Sequence, residues 1–257
     1  MATCERPLMK NKAFGVLVLA MALIALGVIV LRVCCYQFEY DPKYYTVDYG
    51  RFNFFSYFTV QSNLYVCFYL FCLAFAVFGS AGAKKIAYHP MVRLTVMTYI
   101  LVTGVVYCAG FPLGMSPPLS WDNFQHAMLA SVQVLHHMIM PVFVFALFLL
   151  PPTDERIRYK KLPLVAVYPL VYSVFSIVRG ALTDPAFYPY PFFRPTFFWD
   201  ILCKGRDLHL PTAYLIMAPF VLAGVCLFPL IALGLAKLHN KRSDRLRRSF
   251  ETEVTTA

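Results

Sequence analysis

The sequence has few charged residues. Asp, Glu, Lys and Arg make up 14% of its 257 residues, whereas hydrophobic residues make up 60%. Soluble globular domains carry about 25% charged residues, so this shortage excludes an ordinary soluble protein. Apolar runs of about 20 residues recur along the chain, and each is long enough to cross about 30 Å of hydrocarbon. We therefore expect an integral membrane protein.

Acidic residues are scarcer than basic ones, with 13 Asp and Glu against 23 Lys and Arg, which gives a formal net charge of +10. Such an excess can indicate nucleic-acid binding. Here, however, the basic residues border the apolar runs, and no groove-reading motif accompanies them. The sequence therefore predicts a membrane partner and no nucleic-acid partner.

Six apolar segments predict a single all-α domain over residues 1–257 with six transmembrane helices. The predicted spans are 13–33, 53–78, 92–111, 127–150, 162–182 and 211–238, followed by a basic tail at 239–257. The Lys- and Arg-rich connections alternate along the chain, and the positive-inside rule assigns them to the cytoplasm. Both termini are then expected to be cytoplasmic, in a multi-pass protein of the endoplasmic reticulum or the plasma membrane.

The eight cysteines lack the spacing of a zinc site, so no metal is expected, and the sequence predicts no cofactor. Cys34, Cys35 and Cys203 are predicted to lie on the side opposite the cytoplasm, where disulfides persist. We therefore hypothesise a bridge from Cys34 or Cys35 to Cys203.

A run of polar residues lies near the start of the second span, although a span needs only apolar side chains to enter lipid. Thr59, Ser62 and Asn63 are separated by three and four residues, so they share one face of a helix, whereas Gln61 points away from it. Polar groups at this depth typically face a protein interior or a watery cavity. This face is the first candidate site.

Further polar residues are expected in the same half of the membrane. His136 and His137 lie about ten residues into the fourth span, and they point about 100° apart, so usually only one of them can address a given point. Gln133 precedes His136 by three residues, and Pro141 cannot bond the carbonyl of His137, which predicts a kink. Arg179 lies near the outer end of the fifth span. Together with Thr59, these residues predict one polar cluster.

Three stretches resemble the androgen-induced-protein superfamily. They are Tyr-Phe-Thr-Val-Gln-Ser-Asn-Leu at residues 57–64, His136 five residues before Pro141, and Tyr-Pro-Tyr-Pro-Phe at residues 188–192. The number and order of the predicted helices agree with that superfamily over nearly the whole chain. Within it, the chain is more similar to the six-helix prokaryotic-type branch than to the animal members.

What the resemblance implies is intramembrane ester hydrolysis. The characterised animal members are threonine hydrolases that cleave fatty acid esters of hydroxy fatty acids, using one threonine and one histidine. By its place in the motif the threonine corresponds to Thr59, and the histidine corresponds to His136 through its spacing to Pro141. His137 is the alternative base.

The implied chemistry suits these residue types. A histidine within reach can take the proton of the Thr59 hydroxyl during attack and later protonate the leaving alkoxide. Candidate hydrogen-bond donors to the oxyanion are Asn63, Gln61 and Arg179. Ser62, Gln133 and Tyr190 are further candidates for support or substrate contact.

Other interpretations fit the same residues. Thr59 can serve helix packing, as threonine commonly does in membranes, and Arg179 can reach outward to lipid phosphates. Residues 188–192 fit an interfacial aromatic anchor or a lid over the cavity. Without a covalent step, the same cluster would serve a lipid- or sterol-binding receptor or a small-molecule transporter. The sequence has no internal repeat, which disfavours the transporter.

Overall fold

The computed structural model describes residues 5–34, 50, 52–112, 119–183 and 186–256. Helices dominate this part of the chain, and six helical segments are long and apolar enough to cross a membrane. The predicted all-α, multi-pass class is therefore confirmed. The helices are α1 (Lys12–Cys34), α2 (Phe58–Val77), α3 (Ala81–Ala87), α4 (Pro90–Gly110), α5 (Phe124–Val134), α6 (Met140–Phe148), α7 (Val167–Leu182), α8 (Pro195–Leu202) and α9 (Leu210–Thr256).

The spans agree with those predicted from the sequence, with small differences at their ends. The second span begins with α2 at Phe58, because a separate 3₁₀ turn, Asn53–Ser56, precedes it. The fourth span consists of α5 and α6, and the fifth consists of the 3₁₀ segment Tyr159–Ala166 followed by α7. The largest difference is at the C-terminal end, where α9 continues through the residues predicted to form the basic tail.

A π-helical turn, Leu135–Ile139, joins α5 to α6 and carries both histidines. It interrupts the regular α-helix just before Pro141, which cannot donate to the carbonyl of His137. The backbone of α4 closely approaches this turn at Gly104. A Cβ atom at Gly104 would lie 2.8 Å from the carbonyl oxygen of His137 and 2.9 Å from Cγ of Pro141. Glycine at this position therefore lets the two spans meet.

Arg93 is 2% exposed and holds the end of α6. Its Nη2 donates to the carbonyls of Leu147 at 3.0 Å, Phe148 at 3.1 Å and Leu150 at 3.3 Å, and its Nη1 donates to the hydroxyl of Tyr69 at 3.1 Å. Arg93 lies inside the first turn of α4, within the predicted span 92–111, and donates to carbonyls that a helix end leaves without donors.

The connection formed by residues 151–158 contacts both ends of the described chain. Near the N-terminus, the backbone N–H of Arg6 donates to Pro152 at 2.8 Å. Near the C-terminus, the side chain of Asn240 exchanges two hydrogen bonds with the backbone of Ile157, at 2.8 and 3.1 Å. Residues 6 and 240 therefore lie at one end of the helix bundle, which we call the basic end. Its assignment to the cytoplasm stays a prediction.

The predicted disulfide is not formed through Cys34. Cys34 and Cys203 are both free thiols. Cys35, the alternative partner, lies outside the described residues. A bridge between Cys34 and Cys203 was therefore a wrong prediction.

Candidate functional site

Thr59 is the second residue of α2, where backbone N–H groups have no partner within the helix. Two tyrosine hydroxyls accept hydrogen bonds from the first two of these N–H groups. Tyr172, on α7, accepts from the N–H of Phe58 at 3.1 Å, and Tyr190 accepts from the N–H of Thr59 at 3.2 Å. The start of α2 is thus fixed by α7 and by the Tyr-Pro-Tyr-Pro-Phe segment.

The hydroxyl of Tyr190 also lies 3.2 Å from Oγ1 of Thr59. Burial raises the pKa of Tyr190, while the hydrogen bonds from Thr59 and the charge of Arg32 oppose this shift. The phenol therefore remains protonated at neutral pH and keeps a proton to donate. The sequence predicted Tyr190 only as a possible support or substrate contact. No pattern in the sequence predicted its direct hydrogen bond with Thr59.

Ser62 and Asn63 are turned toward Thr59, as the helical spacing predicted. Both side chains donate to the carbonyl of Thr59 at 2.9 Å. Ser62 also lies 2.8 Å from Oγ1 of Thr103 on α4, and Nδ2 of Asn63 lies 3.4 Å from the carbonyl oxygen of His136. Asn63 thus links the backbone of Thr59 to the π-helical turn.

Gln61 points away from this cluster, again as predicted. Its Nε2 donates to the carbonyl of Phe55 at 2.8 Å, and its Oε1 accepts from the hydroxyl of Tyr168 at 2.5 Å. The first bond ties α2 to the preceding 3₁₀ turn, and the second ties it to α7. They leave Gln61 outside the group of residues around Thr59 and His136.

His136 is fully buried, and neither ring nitrogen has a hydrogen-bond partner among the described residues. The same is true of Oδ1 of Asn63 and Oε1 of Gln133. Buried polar groups nearly always have a hydrogen-bond partner. Four unpaired buried atoms on three candidate residues therefore indicate a candidate ligand site. Because its ring nitrogens are unpaired, His136 makes no hydrogen bond to the hydroxyl of Thr59.

His137 has a different environment from that of its neighbour. Its ring stacks on Tyr107 of α4, with the ring centroids 3.8 Å apart, and its Nδ1 lies 3.0 Å from the carbonyl oxygen of Gln133. Since a carbonyl only accepts, Nδ1 of His137 carries the proton. His137 is held in place, whereas the imidazole of His136 has free hydrogen-bonding capacity.

Arg179 holds the 3₁₀ turn that precedes α2. Its Nη2 donates to Oδ1 of Asn53 at 2.7 Å, and its Nη1 donates to the hydroxyl of Ser56. The guanidinium also lies 4.6 Å from the ring centroid of Phe187. Arg179 therefore packs inward and positions the start of α2 from outside the Thr59–Asn63–His136 group.

Sequence reasoning missed three neighbours of the site. Tyr172 and Thr103 hold α2, and Arg32 lies in the last turn of α1 with its guanidinium 5.4 Å from the ring centroid of Phe54. The sequence could have pointed to Arg32, because a charged residue inside a predicted span typically has a functional or pairing role. It could not have pointed to Tyr172 or Thr103, since Tyr and Thr are common in membrane helices.

The fold and the site define the class of the protein. The described part of the chain is helical, with six helices able to span a membrane and a polar cluster between α2, α4 and the π-helical turn. Comparison with known protein families, with curated proteins and with solved structures finds no match.

Proposed function

We propose that the protein is an intramembrane lipid ester hydrolase in which Thr59 is the nucleophile and His136 is the base. The main support for this proposal is that His136 is fully buried and that neither of its ring nitrogens has a hydrogen-bond partner among the described residues. The side-chain amide of Asn63 donates to the backbone carbonyls of both Thr59 and His136 and so links the two residues. An imidazole without structural hydrogen bonds has its nitrogens available for proton transfer.

The reaction would proceed in two steps. Oγ1 of Thr59 attacks the ester carbonyl carbon while His136 takes the hydroxyl proton; the ester C–O bond then breaks, and His136 returns the proton to the leaving alkoxide. Water next attacks the acyl group on Thr59, giving one proton to His136, which passes it to the departing Oγ1. The chemistry requires no cofactor.

Tyr190 supports this mechanism as a donor beside the nucleophile. A protonated phenol 3.2 Å from Oγ1 of Thr59 can donate to an oxygen that becomes negative during attack. For the reaction, the ring of His136 and the hydroxyl of Thr59 must come within roughly 3 Å, and catalytic hydrogen bonds often tighten only with substrate bound. The unpaired amide oxygens of Asn63 and Gln133 only accept hydrogen bonds, so they would suit the attacking water or the released hydroxyl group and not the ester itself.

The substrate class follows from the surroundings and from the sequence resemblance. A site within membrane helices meets substrates that partition into lipid, and the resemblance to the androgen-induced-protein superfamily favours fatty acid esters of hydroxy fatty acids. The partner of the protein is thus a lipid substrate in the bilayer.

A second candidate function has its own supporting observation. The hydroxyl of Thr59 is bonded to Tyr190 and not to His136. This arrangement favours a lipid- or sterol-binding receptor, or a small-molecule transporter, in which Thr59, Asn63 and His136 contact a ligand without a covalent step.

Covalent labelling distinguishes the two functions. The purified chain in phosphatidylcholine vesicles would be treated with a long-chain alkyl fluorophosphonate, and the labelled peptide would be located by mass spectrometry. We expect the label on Thr59. It should disappear in Thr59→Val, which keeps the N–H that donates to Tyr190, and its rate should fall by about 100-fold or more in His136→Phe.

Thr98→Val is the matched control, because Thr98 is a buried threonine whose hydroxyl bonds to Leu94 of its own helix at 2.8 Å. Labelling should be unchanged in this variant. A label that survives Thr59→Val would contradict the assignment of the nucleophile. No labelling, together with saturable binding of a fluorescent fatty acid ester, would favour the receptor. Loss of labelling in His137→Phe but not in His136→Phe would show that His137 is the base.

A further inference from the structure

A cleft of about 440 Å³ opens at the basic end, between α9 and the start of the fifth span. One wall is formed by α9 and the other by Arg156 and Tyr159. The lining residues are Arg156, Tyr159, Lys237, Asn240, Lys241, Asp244, Arg245 and Arg248. Five of these eight side chains are cationic and one is anionic.

The cations on α9 follow the period of the helix. Lys237, Lys241, Arg245 and Arg248 are separated by four, four and three residues, so they lie along one face. The helix continues unbroken through these positions, so the stripe has a fixed geometry.

Most of this positive charge is unbalanced. The only acidic side chain of the lining, Asp244, lies 3.5 Å from Nη1 of Arg156. Among the described residues, the four cations on α9 make no ion pair with a carboxylate. Nearby, burial together with the charges of Arg242 and Arg93 lowers the pKa of Arg6, which indicates that positive charge accumulates throughout this end.

From the ends of the two candidate spans that border it, we infer that the cleft lies at the membrane surface. Tyr159 is the first residue of the fifth span, and Lys237 follows the apolar part of α9. Cations at this depth are within reach of lipid phosphates, and basic pockets between membrane helices are typical sites for anionic head groups.

We propose that this cleft binds the phosphate head group of an anionic membrane lipid. The stripe on α9 and Arg156 supply the charge, and the hydroxyl of Tyr159 and the side-chain amide of Asn240 lie in the same lining. A phosphate dissolved in the aqueous phase has the same chemistry, but the position beside the start of the fifth span favours a phosphate carried by a lipid.

The test measures binding of short-chain lipids to the purified full-length chain in a neutral detergent. Dioctanoyl phosphatidic acid should saturate one site with an affinity that falls as salt rises, because the contacts are ionic and partly exposed. Dioctanoyl phosphatidylcholine should not compete. Inorganic phosphate should compete only weakly, and if it competed as well as the lipid, the lipid assignment would be overturned.

The variant Lys241→Gln with Arg245→Gln removes two exposed cations from the stripe. Each cation near an anionic head group strengthens binding, so the loss of two should lower the affinity at least about tenfold. The matched control, Lys10→Gln with Lys12→Gln, removes the same charge from exposed positions outside the cleft lining and should keep the wild-type affinity.

Equal losses in the two variants, or the absence of saturable binding to the wild-type chain, would refute the proposal. Unchanged thermal unfolding of both variants would show that the comparison concerns binding and not folding. The readout needs no turnover, so the result is independent of the proposed hydrolase activity.

Discussion

Gly180 on α7 lies against the ring of Tyr188, so closely that a Cβ atom at Gly180 would stand 2.1 Å from Cε1 of Tyr188. Tyr188 opens the Tyr-Pro-Tyr-Pro-Phe segment, and Tyr190, two residues later, contacts Thr59. The absence of a side chain at Gly180 thus helps to seat the segment that reaches the candidate site.

Gly180→Ala should therefore displace Tyr188 and loosen the segment around Tyr190. Because overpacking typically costs about 1 to 3 kcal/mol, we expect the free energy of unfolding in mixed detergent micelles to fall by that amount. The control is Gly224→Ala on α9, where an added Cβ meets no atom within 4 Å. A Gly180→Ala protein as stable as this control would contradict the packing described here.

Tyr190→Phe tests the tyrosine cap of α2. The substitution keeps the ring but removes the hydroxyl that accepts the N–H of Thr59. A partly buried donor left without a partner costs about 1 kcal/mol, the lower end of the usual range, so thermal unfolding in detergent should occur at a lower temperature. Tyr159→Phe is the comparison, since Tyr159 is 46% exposed, and this change should have almost no effect on stability.

Arg93→Met should be strongly destabilising. It removes the donor shared by the carbonyls of Leu147, Phe148 and Leu150 and leaves them buried or half-buried without that partner. Hydrogen bonds from a charged donor contribute about 1.5 to 3 kcal/mol each, so a loss of about 3 kcal/mol or more is expected in chemical unfolding. Arg158→Met, at an exposed position of the same basic end, should change stability by less than about 0.5 kcal/mol.

Asn240→Ala should free the 151–158 connection from α9. The variant loses both hydrogen bonds to the backbone of Ile157, so amide hydrogen exchange at Ile157 and its neighbours should accelerate. Ser249→Ala is the matched control on the same helix, because its hydroxyl bonds only to Leu246 within α9 among the hydrogen bonds described. Equal exchange in the two variants would show that Asn240 does not hold the connection.

Much of the fold follows from the sequence because each transmembrane span is a local property. Length and hydropathy locate the six helices, and helical spacing separates the face with Ser62 and Asn63 from Gln61. The break at Pro141 is also local, because one missing N–H determines it.

The contacts around the site depend on how distant helices meet, and no local pattern encodes that. Arg93 shows the difference: it lies at the start of a predicted span, yet it binds carbonyls more than 50 residues away. The pairing of Tyr190 with Thr59 joins residues 131 positions apart. The sequence around Arg93 and around Tyr190 contains no pattern that identifies these distant partners.

The length of α9 lets it connect two distant parts of the protein. A helix from Leu210 to Thr256 is about 70 Å long, roughly twice what is needed to cross the hydrocarbon. Its C-terminal half carries the cations of the cleft, and its N-terminal half contacts the Tyr-Pro-Tyr-Pro-Phe segment, where the hydroxyls of Tyr188 and Tyr214 lie 3.5 Å apart. One continuous helix thus joins the basic end of the bundle to the segment beside Thr59, and Pro219 and Pro229 each remove one backbone donor from it.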